Sequence, residues 1–164
     1  MAWERSFALH VPSSTENLAM IRDFMKSVGT QAGLGDMDVA RLELAVDEAC
    51  ANVMEHAYQD DQSQEVKIRA IVDDSAVQIE VIDTGKGFDP TTVEQLKLKE
   101  LVSAKRTGGL GMRLMKSFMD EVHYEVQPGV KNELKMVKKL KKETPLEKET
   151  PERRWSLYRQ HWRP

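Results

Sequence analysis

The stretch from Leu42 to Tyr58, LELAVDEACANVMEHAY, sets the strongest limit on what this chain can become. Val39, Leu42, Val46, Ala49, Cys50, Val53 and Ala57 recur at intervals of three and four, which draws an apolar stripe along one helix. Another face carries Glu48, Asn52, Glu55 and His56. Residues four apart sit one above the other on a helix, so Glu48 and Asn52 point the same way. A carboxylate and a carboxamide one turn apart suit phosphoryl chemistry. The amide oxygen can ligand Mg²⁺, and the carboxylate can orient or deprotonate a nucleophile. On its own, the same pattern describes a solvated polar face.

The bounds are ordinary for one domain with a core and a small appendage: 164 residues, 40% hydrophobic, 31% charged, net charge −3. That balance does not point to nucleic acid. The charge is uneven, because Lys138–Pro164 holds nine Lys/Arg against four Glu. The single cysteine, Cys50, excludes an internal disulfide, and its place on the stripe reads as a small buried thiol. MAWERSFALHV has charges within any apolar stretch, so it is no signal peptide, and no apolar run reaches membrane-spanning length. The expected compartment is the cytoplasm, with no membrane partner.

Taken in order, Arg5–Val11 alternates as a strand and Pro12 ends it. Ser13 and Glu16 have capping-box spacing before a helix that runs to about Gln31, with Leu18, Ile21, Phe24, Met25 and Val28 on one face. Asp36 or Asp38 is expected to cap the central helix, which runs to about Tyr58. Glu65–Val72 and Ala76–Ile82 alternate around Asp73-Asp74-Ser75, a hairpin with one buried face. Thr91–Val102 reads as a weakly patterned helix. A helix over Leu110–Glu121 turns Leu110, Leu114, Met115, Phe118 and Met119 inward, and strands follow at Val122–Val126 and Leu134–Leu140. This order predicts an α+β sandwich, with helices on one face of a largely antiparallel sheet.

Two Gly-rich segments carry chemistry. In Asp83-Thr84-Gly85-Lys86-Gly87 the glycines follow a strand and let the backbone approach a flat ligand. Asp83 leaves a buried strand, where an unpaired carboxylate is costly, and a base edge with an exocyclic amino group would satisfy it. The other reading is a loop with Asp83 as its cap. Gly108-Gly109-Leu110-Gly111 opens a helix whose positive end makes an anion site, with Lys105 and Arg106 beside it.

E-x-x-x-N on a helix, D-x-G-x-G after a hairpin strand and G-x-G before a helix occur in that order. Together they resemble the N, G1 and G2 boxes of the GHKL (Bergerat-fold) ATPases. Glu48–Tyr58 and Gly109–Val122 are most similar to the anti-sigma factor serine/threonine kinases of the RsbW and SpoIIAB type. The resemblance covers about residues 5–140. It implies a two-layer Bergerat-type sandwich that takes ATP and Mg²⁺. It would make Asn52 the Mg²⁺ ligand and Glu48 the general base toward a Ser or Thr hydroxyl. Asp83 would accept from the adenine amino group, and Gly85 and Gly87 would shape the base pocket. Lys105, Arg106, Thr107, Gly108, Gly109, Leu110 and Gly111 would form the phosphate side, with residues 89–108 as a lid. His56 matches a family position and reads as structural. The last strand departs from the family, whose G-T-T or G-T-E run is replaced by Lys131-Asn132-Glu133.

The implied organisation is a catalytic domain over 1–140 and a charged tail over 141–164. That tail holds KETP twice, then Trp155, Leu157, Tyr158 and Trp162. It reads either as a disordered end or as a docking segment. The implied function is a kinase that phosphorylates a STAS-type anti-anti-sigma protein and sequesters a sigma factor, with a homodimer left open. A nucleotide-dependent partner switch without kinase activity is the alternative. A detached histidine-kinase catalytic domain fits less well. Only about 35 residues precede the central helix, too few for a helical hairpin bearing a phosphoacceptor His.

Overall fold

A computed structural model describes residues 3–87 and 111–141. The elements are β1 (Arg5–Pro12), a 3-10 turn (Thr15–Asn17), α1 (Leu18–Ala32), α2 (Asp36–Asn52) and a π-helical turn (Val53–Ala57). Then come β2 (Glu65–Val72), β3 (Ala76–Asp83), α3 (Gly111–Phe118), β4 (Glu121–Gln127) and β5 (Lys131–Lys139). The strands form one sheet in the order β1-β2-β3-β5-β4, each neighbour antiparallel. The expected α+β two-layer sandwich is what forms.

Alternation in the strands decides which face is covered. Val66, Ile68, Ala70 and Val72 of β2 lie in one buried layer with Val77, Ile79 and Val81 of β3, and with Leu134 and Met136 of β5. Ile21, Met25 and Val28 of α1, Leu42, Val46 and Cys50 of α2, and Met115 of α3 close the core from the helix side. A fully buried Ile, Leu or Met contributes about 1.5–3 kcal/mol, so this layer dominates the favourable side of folding. The β2–β3 turn closes on Asp73, whose Oδ1 accepts from Ser75 N at 2.7 Å and Ala76 N at 2.9 Å. Burial pushes the Cys50 thiol far above its usual range, as a small buried thiol requires.

Several expectations need correction. Ser13 Oγ is buried without a partner, Ser14 is the residue before the 3-10 turn, and no side chain caps that turn, so the capping box is absent. Asn17 Nδ2 instead donates to the carbonyl of Pro12 at 2.8 Å. Gly35 is the N-cap of α2, with Asp36 and Asp38 inside its first turn. The central helix is not α-helical to Tyr58. It widens after Asn52 into the π turn, closed by Tyr58 N to Val53 O at 3.0 Å. It then stops at Gln59 and Asp60, whose φ of 51° and 61° are left-handed for non-glycine residues. Helix α3 ends at Phe118, and Leu114 is 42% exposed, because Met115 and Met119 supply its packed edge. The expected helix at Thr91–Val102 and the tail from Lys142 lie outside the described residues. Among the described residues no helix is long and apolar enough to cross a membrane.

Candidate functional site

Strand β3 delivers Asp83 to the end of the sheet, 2% exposed. Its Oδ1 accepts from Gly85 N and from Asn132 Nδ2, both at 2.8 Å. Burial raises the Asp83 pKa, and the Asn132 and Gly85 bonds oppose that only in part. Part of what the sequence leaves to a ligand is therefore met inside the protein.

The loop after Asp83 is held on two sides. On the helix side, Tyr58 Oη accepts from Thr84 N at 2.9 Å and donates to Glu65 O at 2.8 Å. On the hairpin side, Gly85 O accepts from Gly129 N at 2.8 Å and Asn132 Nδ2 at 2.9 Å. The glycines have internal reasons as well as any toward a ligand. A Cβ on Gly85 would lie 2.6 Å from the carbonyl oxygen of Ala57. Gly87 has φ of 73°, and a Cβ there would lie 2.6 Å from Val126 Cγ1.

The contacts at Ala57 and Tyr58 fasten this loop to the end of the helix that carries Asn52 and Glu48. Asn52, 1% exposed, is the last residue of α2 before the π turn. Its burial is unlike a solvated polar face. Glu48, one turn earlier, is part-exposed. The structure thus joins the elements carrying Glu48, Asn52, Asp83, Gly85 and Gly87. Gly111 opens α3, which packs on α2. Lys105, Arg106, Thr107, Gly108, Gly109 and Leu110, and the lid over 89–108, lie outside the described residues.

Among the described residues no group of three or more His, Cys, Asp or Glu could hold a metal ion. Mg²⁺ in nucleotide sites is held by one or two protein oxygens and the ligand's own phosphates, so it does not require such a group. Asn52, buried at the end of α2, carries a side-chain amide oxygen. A cleft of about 300 Å³ lined by Gly33, Asp36, Asp38, Arg41 and Lys141 opens at the opposite end of α2 and touches none of these groups.

Sequence reasoning noted the run Lys131-Asn132-Glu133 but gave Asn132 no contact. Strand register places it directly opposite Asp83. Nothing local in the sequence shows that pairing, since it depends on which strands become neighbours. Tyr58 likewise stands in the sequence only as part of a motif, and its hydroxyl bridges two backbone groups.

The comparisons agree with this geometry. The profile described as histidine kinase-like ATPase domain matches residues 11–138. The chain is similar to the serine-protein kinase RsbW of Bacillus licheniformis, 36% identical over 128 residues, 73% of this chain and 77% of that one. It is similar to the protein of the same name from Bacillus subtilis strain 168, 33% identical, covering 74% and 79%. The Staphylococcus aureus protein of that name is 32% identical over 140 residues, 82% and 87%. The matched span runs from the end of β1 into β5 and takes in the Asp83 loop, the Asn52 helix end and α3. A chain that carries these segments, in this order and on this sheet, belongs to the histidine kinase-like ATPase domain family.

Proposed function

We propose that this protein is an ATP-dependent serine/threonine kinase acting on a small STAS-type anti-anti-sigma protein, and that it sequesters a sigma factor in its other partner state. The observation that carries the reading is the fastening of the Asp83 loop to the Asn52 end of α2 through Tyr58 and Ala57. It joins the elements that carry Asp83 and Asn52, which supports assigning one to the base and the other to the metal. The relatives named serine-protein kinase supply the reaction class.

In this reading ATP supplies the phosphoryl group and Mg²⁺ offsets the phosphate charge. Asp83 accepts from the adenine amino group, and Gly85 and Gly87 shape the walls of the base pocket. Asn52 offers its amide oxygen to the metal. Gly109 and Gly111 would cradle phosphates, and Lys105, Arg106, Thr107, Gly108 and Leu110 would contribute to the same ATP contact. Glu48 is part-exposed, so a hydroxyl on a second protein can reach it. Glu48 takes the proton as the substrate oxygen bonds to the terminal phosphorus, the bond to the bridging oxygen breaks, and ADP leaves. A general base of this kind contributes about 10²- to 10⁴-fold.

Calorimetry beside a phosphorylation assay on the cognate anti-anti-sigma protein tests this. Asn52→Ala should lose Mg²⁺-dependent nucleotide binding and labelling. Glu48→Gln should keep binding and lose about 10²- to 10⁴-fold in labelling. Wild-type protein that binds ATP but never labels the partner would make it a nucleotide-dependent switch without kinase activity.

A further inference from the structure

Asn132 has no part in the reaction above, yet it is 0% exposed and sits in register opposite Asp83. Its Nδ2 donates to Asp83 Oδ1 at 2.8 Å and to Gly85 O at 2.9 Å. A primary amide has two N–H donors, and both are spent here. The partners are a carboxylate and a carbonyl, which only accept. Chemistry therefore fixes the amide's orientation, since the reverse would set its oxygen against two others. Oδ1 is turned toward Gly87, where a Cβ would lie 3.1 Å from it, and among the described residues it takes no hydrogen bond.

The consequence falls on Asp83. Asn132 Nδ2 and Gly85 N both donate to Oδ1, at 2.8 Å each. Among the described residues Oδ2 takes no hydrogen bond, so it is the oxygen the carboxylate has left to offer a ligand. With two donors on its other oxygen, Asp83 is held as an acceptor. An acceptor matches a purine that presents an amino group and opposes one that presents a carbonyl at the same place.

We infer that Asn132 is a positioning residue that determines base specificity: it orients Asp83 so that one oxygen faces an exocyclic amino group, and it pins the Gly85 carbonyl that shapes the same pocket. The inference rests on the assignment of Asp83 to adenine.

The test compares ATP with inosine triphosphate, in which a carbonyl oxygen replaces the amino group and N1 carries a hydrogen. Affinities are measured by calorimetry with Mg²⁺ for the full chain and for Asn132→Leu, which keeps the branched shape and removes the donors. Melting temperatures are taken alongside. Wild type should prefer ATP by about 10- to 100-fold. Asn132→Leu should lose most of that preference, mainly through weaker ATP binding, with inosine triphosphate changed far less. A purely structural Asn132 would lower both affinities together and keep the ratio, and that result overturns the inference. Should the Leu variant not fold, Asn132→Val, also without donors and favoured in strands, reads the same ratio. Wild type that does not separate the two nucleotides would overturn the Asp83 assignment itself. A wild-type preference that survives in the variant overturns only the role of Asn132.

Discussion

Two aspartates are buried near opposite ends of this fold, and their surroundings differ in kind. Asp38, 6% exposed, sits in the first turn of α2 among cations. Its Oδ1 lies 3.1 Å from Arg41 Nη1 and 3.4 Å from Lys138 Nζ, and Lys141 stands 4.0 Å from Oδ2. Burial pushes its pKa up, but the Lys138 charge, the Arg41 and Lys138 hydrogen bonds and Lys141 outweigh that and hold it below the usual value. Asp83 has only neutral N–H donors, and burial wins. A buried charge matched by cations is a fastener. One left with a raised pKa among neutral donors is only partly matched inside the protein. Lys138 also donates to Phe118 O at 2.9 Å, so the Asp38 end ties α2, α3 and β5 together. The Asp83 end is tied by backbone contact and neutral hydrogen bonds.

The largest expected effect sets glycine against glycine. At the Asp83 end, Gly85→Ala drives a Cβ to 2.6 Å from a backbone oxygen that cannot swing aside. It should destabilise the protein by about 3 kcal/mol or more and remove nucleotide binding with the displaced loop. At the Asp38 end, Gly35→Ala meets nothing within 4 Å and has no left-handed φ to strain. It should cost about 1 kcal/mol at most, as an N-cap change. Urea titrations with and without ATP read both. Equal costs would mean that the close approach to Ala57 is not what fixes the loop.

Next comes the cation. Lys138→Met leaves Asp38 with weaker compensation and Phe118 O without its donor, and should cost about 2–4 kcal/mol. Adding Asp38→Asn to that background should return part of the loss, because the buried charge is then gone. A double variant no better than the single would show that the carbonyl bond, not the ion pair, carries the effect.

Much of this was legible in sequence because it is local. The alternation in Glu65–Val72 and Ala76–Asp83 needs only neighbours two residues apart, and the stripe of α2 only neighbours three and four apart. Both strands formed where the period put them, and so did the helix as far as Asn52. The pairings that define the two aspartates are not local. Lys138 reaches Asp38, and Asn132 reaches Asp83, only after β5 takes its place beside β3. Helix-start chemistry misled for a related reason. Asp38 is a good capping residue in isolation, but tertiary cations claim its carboxylate. The π turn has no local signature, and it widens where Tyr58 and Ala57 must meet the Asp83 loop.

A smaller effect probes the ties at the Asp83 end. Tyr58→Phe removes one hydroxyl that serves both Thr84 N and Glu65 O, and should cost about 1–2 kcal/mol. Its signature is that nucleotide affinity falls along with stability, whereas Arg41→Met at the other end should lower stability alone. Thermal melts paired with ATP titration distinguish them. Parallel losses of affinity in both variants would erase the distinction between a fastening end and a binding end.

The smallest effect is in pH dependence, and there the two aspartates should have opposite signs. An unfolded aspartate titrates at about 3.9. Asp38 is depressed in the fold, so between its folded value and about 3.9 the unfolded chain binds more protons. Its contribution is complete above that window and is lost as pH falls through the folded value. Asp83 is raised, so between about 3.9 and its folded value the folded chain binds more protons. Stability then falls as pH rises through that window, and the ionised group is least welcome above it. Asp38→Asn should therefore flatten the acid limb below about pH 4. Asp83→Asn should remove an opposing slope just above about pH 4, so that stability climbs more steeply with pH there than in wild type. Urea midpoints across the acid range, without nucleotide, measure both slopes. If Asp83→Asn leaves the upper slope unchanged, burial imposes no penalty on Asp83. The carboxylate would then be as well matched inside the protein as Asp38 is, with no physical ground for reserving it for a base.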